Sequence, residues 1–321
     1  MADGSITVRP FEDPDLDPVL DLMRLSLGES AVLQRTPELF AWKHFANPFG
    51  RSIMLVAESG GRIVGLRAFM RWELVTRRGE PLRCVRAVDT ATHPDHQRRG
   101  IFKALTLAAL DHAREDDVDL VFNTPNPKSG AGYLAMGWRQ VGQLGVMAAP
   151  GLRRPLAKAP ADGVPDPARW VAQARALRHA PMAGIEDRPA RGLRTRRTPG
   201  YLTWRFSGHP IARYGAVETG SSTAVVRANV RSGWRELVLS DVFGPDPGRA
   251  IRATVWRNRA AYLATWFSEG SPERAAAVRS GVLTVPKVRT LTLVANPLRP
   301  IDARISSLDG WDLASSDLEL L

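Results

Sequence analysis

The feature that most constrains the fold lies in residues 85–138, where a strand, a basic loop, a helix and a second strand follow one another. Residues 85–92 alternate and are rich in β-branched side chains, which predicts a strand. Gln97-Arg98-Arg99-Gly100 is a short basic segment that ends in glycine. Apolar residues recur at helical spacing over 101–114, and 120–123 is a short apolar strand. The chain is therefore predicted to pass from a strand, through a basic loop, into the start of a helix.

A strand that leads through a loop into a helix suits a phosphate group. Backbone N–H groups and the helix dipole point at one place there, and a pyrophosphate fits them. Gly100 has no side chain to keep the backbone away from the phosphate, and Arg98 and Arg99 add positive charge, as would Arg86 if it lies near. The glycine patterns of dinucleotide-binding and P-loop proteins are absent. The segment thus favours a diphosphate carrier of another kind.

These residues resemble the acyl-CoA-binding core of the GNAT superfamily of N-acyltransferases. The family loop reads Q/R-x-x-G-x-G/A; residues 97–102 match it through Gly100 and depart at Phe102, which predicts crowding of one phosphate-facing amide. Thr92-His93-Pro94 stands where the family often has V-x-P. The family then has an asparagine, a tyrosine and a glycine at a fixed spacing, which this chain keeps at Asn126, Tyr133 and Gly137.

The resemblance implies a fold, a co-substrate and a role for each site residue. The fold would be of the α+β (α/β) class, with a mixed, mostly antiparallel central sheet flanked by helices. Acetyl-CoA or another acyl-CoA would be the co-substrate, with no metal. Tyr133 would protonate the departing thiolate, and Thr92 would offer backbone hydrogen bonds to the pantetheine arm. The residues expected to contact CoA are Ala91, Thr92, Gln97, Arg98, Arg99, Gly100, Ile101, Phe102 and Asn126.

The group that takes the proton of the attacking amine is less well defined. An amine must be neutral to attack a thioester, so a base or a water chain must remove its proton. Asp89 has the strand parity of Ala87 and Ala91, which predicts that it faces the cleft as the catalytic base. A solvated surface carboxylate is an equal reading of the same position. Glu73 and His93 are the alternative bases.

Composition limits the class of protein. The 321 residues, 44% of them hydrophobic, suit two domains with sizeable cores. Cys84 is the single cysteine, so no internal disulfide or zinc cluster is expected. The net charge of +11 favours polyanionic partners such as CoA or an acidic carrier protein, although an arginine-rich proteome gives the same balance.

Partners and location follow from signals that the sequence lacks. No zinc finger or RNA-binding signature accompanies the arginines, so nucleic acid is not an expected partner. The first 20 residues are acidic and broken by proline, and no apolar run approaches membrane-spanning length. The expectation is a cytoplasmic protein without a membrane partner, either a monomer or a homodimer.

A repeated motif predicts that the chain is a duplication. Arg35-Thr36-Pro37, followed five residues later by Trp42-Lys43, recurs as Arg197-Thr198-Pro199 followed by Trp204-Arg205. In each copy the threonine and proline predict the start of a helix. The interpretation is two GNAT-like domains: a catalytic domain at 1–149, a Pro-rich and Gly-rich linker at 150–165, and a C-terminal domain at 166–321.

The C-terminal domain is predicted to have lost the chemistry. Its counterpart of the phosphate loop carries Pro245, Asp246 and Pro247; proline has no amide N–H to offer, and the aspartate repels phosphate. Ala277 stands where a tyrosine would be needed. Two further expectations for this region are a strand over 140–148 and a helix over 168–179 that begins after Asp166.

The predicted reaction is acyl transfer from acyl-CoA to a primary amine of a small molecule by direct attack. Two other classes remain open at this point: a transferase whose donor is a charged tRNA or a carrier protein, and a non-catalytic protein that only binds acyl-CoA. The intact CoA loop argues against the first, and Tyr133 argues against the second.

Overall fold

In the computed structural model, the described residues are 5–29, 34–151, 165–177, 188–286, 290–301 and 304–318. Contacts divide the chain into two units. The first comprises Met1–Leu74, Pro81–Gln140 and Leu293–Asp302, and the second comprises Val75–Glu80, Val141–Thr292 and Ala303–Leu321. Most of the predicted linker at 150–165 lies outside the described residues.

The first unit is built on a mixed sheet. The strands of this sheet are β1 (Thr7–Pro10), β2 (Ile53–Ser59), β3 (Arg62–Val75), β4 (Pro81–Thr92), β5 (Leu120–Asn123), β6 (Arg139–Leu144) and β15 (Leu291–Pro297). The last residue of β3, the last four of β6 and the first two of β15 fall outside the residue ranges of the first unit. They lie in the order β1-β2-β3-β4-β5-β15-β6. The pair β4–β5 is parallel, whereas β1–β2, β2–β3 and β5–β15 are antiparallel. The arrangement is the mixed, mostly antiparallel sheet that the sequence predicts.

Helices cover both faces of this sheet. They are α1 (Leu16–Leu27), α2 (Pro37–His44), α3 (Ile101–Glu115) and α4 (Pro127–Ala135). Successive side chains of a strand point to opposite faces. Accordingly, Leu55 packs in one apolar cluster with α3, whereas its neighbour Met54 packs in another with α1 and α2. The site residues of the first unit therefore divide between two faces.

The second unit repeats this plan. Its strands are β7 (Met147–Pro150), β8 (Arg175–Ala176), β9 (Arg194–Thr195), β10 (Tyr214–Thr219), β11 (Ser222–Arg231), β12 (Trp234–Phe243), β13 (Tyr262–Thr265) and β14 (Leu283–Thr284). All except β9 form a sheet in the order β14-β7-β13-β12-β11-β10-β8, in which β12 and β13 are parallel. The helices are α5 (Pro167–Trp170), α6 (Pro199–Leu202), α7 (Pro247–Arg257), α8 (Pro272–Arg279) and α9 (Ser315–Leu318).

The helices of the described residues are short or amphipathic. None of them is long and apolar enough to cross a lipid bilayer.

The region that the sequence predicts as one strand over 140–148 is two strands. β6 ends at Leu144 in the sheet of the first unit, and β7 begins at Met147 in the sheet of the second. Conversely, β15 lies between β5 and β6, although the sequence places its residues in a C-terminal domain at 166–321. Alternation along a strand shows which residues share a face but does not identify the neighbouring strand.

The predicted helix over 168–179 is wrong beyond its first turn. Its start is as expected, since the Asp166 carboxylate accepts a hydrogen bond from the Ala168 N–H at 3.0 Å. The helix ends at Trp170, because Val171 is extended with φ −128° and ψ 123°. The chain then forms β8. Residues 178 and 179 lie outside the described part of the chain.

The repeated motif has the same structure in both units. Thr36 Oγ1 caps α2 by accepting the Leu39 N–H at 3.2 Å, and Thr198 Oγ1 caps α6 by accepting the Tyr201 N–H at 3.1 Å. The arginine before each threonine forms a buried ion pair with an aspartate of the fourth strand of its sheet. These pairs are Arg35–Asp89 at 3.4 Å and Arg197–Asp241 at 2.8 Å. The structural match therefore extends beyond the residues that the sequence aligns.

Candidate functional site

The site begins where β4 and β5 separate. The two strands pair in parallel only from Cys84–Leu120 to Arg86–Phe122. β4 then continues to Thr92, whereas β5 ends at Asn123. Residues 87–92 thus extend beyond their pairing with β5, and an extended ligand has access to backbone groups of that edge. Ala91 is buried and Thr92 half-buried there, and the Thr92 carbonyl oxygen already accepts a hydrogen bond from Ser26 Oγ at 3.1 Å.

The predicted phosphate loop leads into the N-terminus of α3. Gly100 is the N-cap, with φ 79° and ψ 2°, and Arg98 is also left-handed with φ 62°. Glycine adopts a left-handed backbone readily. Left-handed residues within a turn can direct successive N–H groups toward one place. Gln97, Arg98, Arg99 and Gly100 are all exposed, and Ile101 is buried beneath them.

The start of α3 has no side-chain cap. The first bond within the helix is from the Ala104 N–H to the Gly100 carbonyl oxygen, at 2.9 Å. The amides of the preceding residues have no intrahelical acceptor, as at every helix start. With the helix dipole and two exposed arginines beside them, these amides form a favourable setting for a diphosphate.

Phe102 does not crowd these amides with its side chain. Its ring packs edge-on against Tyr133 of α4, with the centroids 5.4 Å apart. It also contacts Gly132 closely enough that an added Cβ would lie 2.9 Å from Phe102 Cε1. The ring therefore faces α4, and the predicted crowding of the phosphate-facing amide does not occur.

Tyr133 is buried on the same face of the sheet as α3. Its side chain packs against Trp138, with ring centroids 5.1 Å apart. Its hydroxyl oxygen accepts a hydrogen bond of 2.7 Å from Arg67 Nη1 of β3. Arg67 also donates to Thr90 Oγ1, one residue before Ala91. Tyr133 therefore contacts Phe102 of α3 and is linked through Arg67 to the separated part of β4.

Asn126 has a structural role at the start of α4. Its Oδ1 accepts the N–H groups of Lys128 at 2.9 Å and Ser129 at 3.0 Å. The residue is exposed. A contact between Asn126 and CoA stays a prediction, with the carbonyl oxygen of the side chain already engaged in capping.

The environment of Asp89 differs from that predicted for a catalytic base. Its carboxylate bonds to Lys43 Nζ at 2.8 Å and His44 Nε2 at 3.0 Å, and it lies 3.4 Å from Arg35 Nη1. Burial alone would raise the pKa of Asp89, but the charge of Lys43 and the bond with His44 outweigh it and hold that pKa well below its usual range. Such a carboxylate is a weak proton acceptor.

The parity argument for Asp89 fails because the strand is irregular there. Asp89 has φ 40°, a left-handed conformation within β4. Ala87, before it, packs in the cluster with α3, whereas Ala91, after it, packs in the cluster with α1 and α2. Alternation counted across Asp89 therefore gives the wrong face.

His44 is held neutral beside this carboxylate. Burial lowers the pKa of His44 and outweighs the raising effect of Asp89. Because an ionised carboxylate only accepts hydrogen bonds, Nε2 carries the proton and Nδ1 accepts from Ser52 Oγ at 2.9 Å. The residues around Asp89 thus form a buried polar network between α2 and β4.

The two alternative bases are placed differently. Glu73 lies near Cys84, at the opposite end of β4 from Thr92. Its charge adds to the effect of burial, which raises the pKa of the Cys84 thiol. His93 is half-buried after β4, and its Nδ1 accepts the Asp95 N–H at 3.3 Å. Within the described residues, no three His, Cys, Asp or Glu side chains converge on a metal site.

Sequence reasoning missed Arg67 as a site residue. The Arg67-Ala68 pair resembles Arg227-Ala228 in the second half of the sequence, but this likeness gives Arg67 no role in a site. The sequence signal that could have identified Arg67 is a charged residue within the apolar pattern of β3. In the structure, that position has no exposure to solvent. Arg35, Lys43 and His44 were missed for a related reason: they belong to one network only once α2 packs on β4.

The corresponding region of the second unit lacks these features. α7 starts at Pro247, and the Asp246 carboxylate caps it by accepting the Arg249 N–H at 2.9 Å. Ala277 of α8 is buried at the position that corresponds to Tyr133. An N-terminus occupied by its own carboxylate does not suit a phosphate.

Comparison with known proteins agrees with this geometry. The model of the acetyltransferase (GNAT) domain family matches residues 7–141. Residues 7–141 belong to the GNAT family. The match covers β1 to β5, the predicted phosphate loop, α3 and Tyr133. Among curated proteins, no sequence matches.

Solved structures of low sequence identity share the fold of both units. A GCN5-related N-acetyltransferase from Anabaena variabilis superposes with a TM-score of 0.60 at 11% identity, over 92% of this chain and 73% of that chain. A tandem GNAT protein from the clavulanic acid biosynthesis pathway gives 0.57 at 18% identity, over 93% and 100%. N-myristoyltransferase from Saccharomyces cerevisiae, with bound myristoyl-CoA, gives 0.55 at 10% identity, over 92% and 83%. The predicted fold class, with two GNAT-like sheets, is confirmed.

Proposed function

We propose that the first unit transfers an acyl group, an acetyl group by preference, from acyl-CoA to a primary amine of a small molecule. The observation that carries this proposal is the uncapped N-terminus of α3 beside the separated end of β4, with the Tyr133 hydroxyl between them. The GNAT family match over residues 7–141 supports acyltransferase chemistry.

The described residues fit the parts of CoA. The first amides of α3, with the exposed Arg98 and Arg99, would hold the pyrophosphate. The free edge of β4 at Ala91 and Thr92 would bond to the amides of the pantetheine arm, as an added strand does. Tyr133 would then stand beside the sulfur.

The chemistry requires one bond to form and one to break. The neutral amine nitrogen forms a bond to the thioester carbonyl carbon, and the carbon–sulfur bond breaks with its electron pair passing to sulfur. The amine proton leaves to water, and the sulfur takes a proton from the Tyr133 hydroxyl, which regains it from solvent. A backbone N–H near Ala91 or Thr92 would support the carbonyl oxygen as negative charge develops there. No covalent enzyme intermediate is needed.

We place no residue of the Asp89 network in the role of base. Asp89 is engaged by three cationic or hydrogen-donating groups and is held ionised by them. If the amine proton passes to water, no side chain has to act as the base. His93, which follows Thr92 directly, is the remaining candidate among the residues that the sequence suggests.

A short acyl group fits the surroundings of Tyr133 best. The Tyr133 ring is 3% exposed, and Phe102, Trp138 and the Arg67 guanidinium pack around it. These neighbours occupy the space beside the hydroxyl with protein atoms, which favours acetyl over a long chain.

Calorimetry and an acceptor screen test the proposal. We expect CoA and acetyl-CoA to bind to the full chain, and release of free thiol from acetyl-CoA to depend on an added amine. The chain carries one cysteine, Cys84, which is buried, so its own thiol contributes little background. Absence of CoA binding would overturn the proposal. Binding without amine-dependent thiol release, across amino sugars, polyamines and amino acids, would leave a protein that only binds acyl-CoA.

A further inference from the structure

Arg67 is a fully buried cation without a counter-ion among the described residues. It lies on β3 with 0% of its surface exposed. No carboxylate of the described chain lies within ion-pair distance, and its Nε and Nη2 have no hydrogen-bond partner there. Removing a charge from water is costly unless other groups replace its hydration. An apolar side chain at the same place would avoid that cost, so the charge calls for an explanation.

Aromatic rings and two hydroxyls replace the hydration of this guanidinium. Arg67 Cζ lies 4.8 Å from the ring centroid of Phe69, 5.2 Å from that of Tyr133 and 5.8 Å from that of Phe102. Ring faces attract cations at such distances. Arg67 Nη1 donates to Tyr133 Oη at 2.7 Å and to Thr90 Oγ1. The two hydroxyl groups that Arg67 bonds, those of Tyr133 and Thr90, are thus next to the place proposed for the thioester, beside Tyr133 and Ala91.

We propose that Arg67 is a positioning residue that directs the hydroxyl proton of Tyr133 toward the departing sulfur. The proposal rests on the acyl transfer put forward above and adds a residue to it.

The direction follows from which atoms donate. A guanidinium has only donors, so the Tyr133 oxygen must be the acceptor in its bond with Arg67. The hydroxyl hydrogen must then point away from Arg67 and remain available to another acceptor. After Tyr133 gives its proton to sulfur, the same Arg67 N–H would bond to the phenolate oxygen, and a charge-assisted bond of that kind is stronger than a neutral one.

Direct contact between Arg67 and an acyl group fits the structure less well. The two guanidinium nitrogens without a partner are buried, and the rings of Phe69, Phe102 and Tyr133 stand around them. A ligand would have to displace one of these rings to reach them. An effect through Tyr133 needs no such movement.

A double-mutant cycle with Arg67→Gln and Tyr133→Phe tests the proposal. General acid catalysis is typically worth about 10²–10⁴-fold, which sets the expected loss of kcat in Tyr133→Phe. We expect Arg67→Gln to lower kcat by up to that factor with little change in the KM for the amine or in CoA affinity measured by calorimetry. Because Arg67 acts through the Tyr133 hydroxyl, the double variant should be no slower than Tyr133→Phe alone. Losses that multiply would overturn the proposal.

The same cycle in unfolding experiments separates positioning from packing. Urea unfolding should show coupling between Arg67 and the Tyr133 hydroxyl, without reference to activity. Arg205 and Tyr214 of the second unit provide a matched pair, since Arg205 Nη1 donates to Tyr214 Oη at 2.5 Å and both side chains are buried. Arg205→Gln and Tyr214→Phe should couple in stability and leave kcat unchanged. If this control pair lowers kcat as strongly as the Arg67 pair, the effect of Arg67 is a general loss of structure.

Arg67→Lys keeps the experiment decisive if Arg67→Gln does not fold. Lysine keeps the charge and a donor, so Arg67→Lys should recover part of the wild-type kcat. The recovered fraction of kcat should exceed the recovered fraction of the free energy of unfolding. A folded Arg67→Gln enzyme with the kcat of the wild type, or a loss of kcat in Arg67→Lys that multiplies with that of Tyr133→Phe, would overturn the inference alone. A wild-type chain that binds no CoA would overturn the proposed function, so the two failures are distinguishable.

Discussion

The side chains of Asp89 and Tyr133 lie on different faces of the first sheet. Tyr133 packs with α3 and bonds to Arg67, whereas Asp89 bonds to Lys43 and His44 of α2. The first arrangement leaves a hydroxyl proton free to be donated. The second holds a carboxylate ionised by burying it among cations. Substitution of each residue should therefore affect a different property of the protein.

Tyr133→Phe should affect catalysis more than stability. The change removes the proton donor and leaves Arg67 Nη1 bonded to Thr90 alone, which adds a stability cost of about 1–3 kcal/mol. We expect kcat to fall by about 10²–10⁴-fold while CoA affinity stays near that of the wild type. Steady-state kinetics and calorimetry measure the two quantities. Wild-type kcat in this variant, with loss of folding only in Tyr133→Ala, would remove Tyr133 from the mechanism.

Asp89→Asn should act on stability. It leaves Arg35 and Lys43 buried without their carboxylate, and breaking a buried pair in this way costs about 3–5 kcal/mol. Urea unfolding of the variant measures this loss, with CoA titration as the check on the native site. A folded variant with the stability of the wild type but greatly reduced kcat would instead return Asp89 to the role of base.

The matched carboxylates Asp89 and Asp241 should respond to pH in opposite directions. The pKa of Asp89 is lowered by its partners, so its stabilisation is present above the ordinary carboxyl range and is lost as the pH falls through the folded-state pKa. Burial raises the pKa of Asp241 to about 6, against the effect of Arg197, so the folded state gains stability as the pH falls from about 6 to about 4.

Hydrogen exchange at the two strands that carry these residues measures the contrast. On acidification from about pH 7 to about pH 5, protection of β12 should increase in the wild type relative to Asp241→Asn. Protection of β4 relative to Asp89→Asn should not change over that range. Equal pH responses of the two strands would contradict the assignment.

At the scale of elements, the starts of α3 and α7 differ in the feature on which the proposed diphosphate site depends. α3 begins at Gly100 with no side-chain cap, whereas the carboxylate of Asp246 caps α7. The N-terminus of the corresponding helix is therefore without a side-chain cap in the first unit and capped by a carboxylate in the second.

Gly100→Val should weaken CoA binding without unfolding the protein. A Cβ at Gly100 meets no atom within 4 Å, but φ is 79°, and the side chain would stand over the amides that we propose bind the phosphate. We expect a loss of affinity of at least about 10-fold, equivalent to about 1.4 kcal/mol. Gly79→Val is the matched control, because Gly79 has φ 82° and equally open surroundings but lies in the turn after β3. Equal CoA affinity in both variants would contradict the loop assignment.

The elements around the loop are predictable because their signals are local. The helix predicted over 101–114 is α3, Ile101–Glu115, and the strand predicted over 120–123 is β5. Partners distant in sequence were not predictable. Alternation in 140–148 fits two strands in different sheets as well as one strand. The face of Asp89 depends on one left-handed residue inside β4, which no apolar pattern indicates.

At the scale of the whole chain, the two units share a framework and differ at the proposed CoA site. Both units keep the threonine cap and the buried arginine–aspartate pair, but Ala277 corresponds to Tyr133. The shared features concern stability, and the differing ones lie at the proposed CoA site. This division is what we expect if only the first unit is under selection for catalysis.

Calorimetry of the full chain should therefore give one CoA site. We expect a stoichiometry of one per chain, with weaker binding at that one site in Gly100→Val. Asp246→Ala removes the carboxylate cap of α7 and is the matched change in the second unit, with no expected effect on stoichiometry. Two equivalents of bound CoA, or a ligand seated at Pro247, would contradict this account.

The position of β15 has a consequence for synthesis on the ribosome. β6 ends at Leu144, but the strand between β5 and β6 is made only when residues 291–297 are translated. At about 5–20 residues per second, that delay is roughly 7–30 s. Throughout it, the nascent chain has unpaired strand edges at β5 and β6, which are available to pair with other chains. A message truncated before Leu291 would thus yield an aggregation-prone product, even though every residue of the proposed CoA site had been translated.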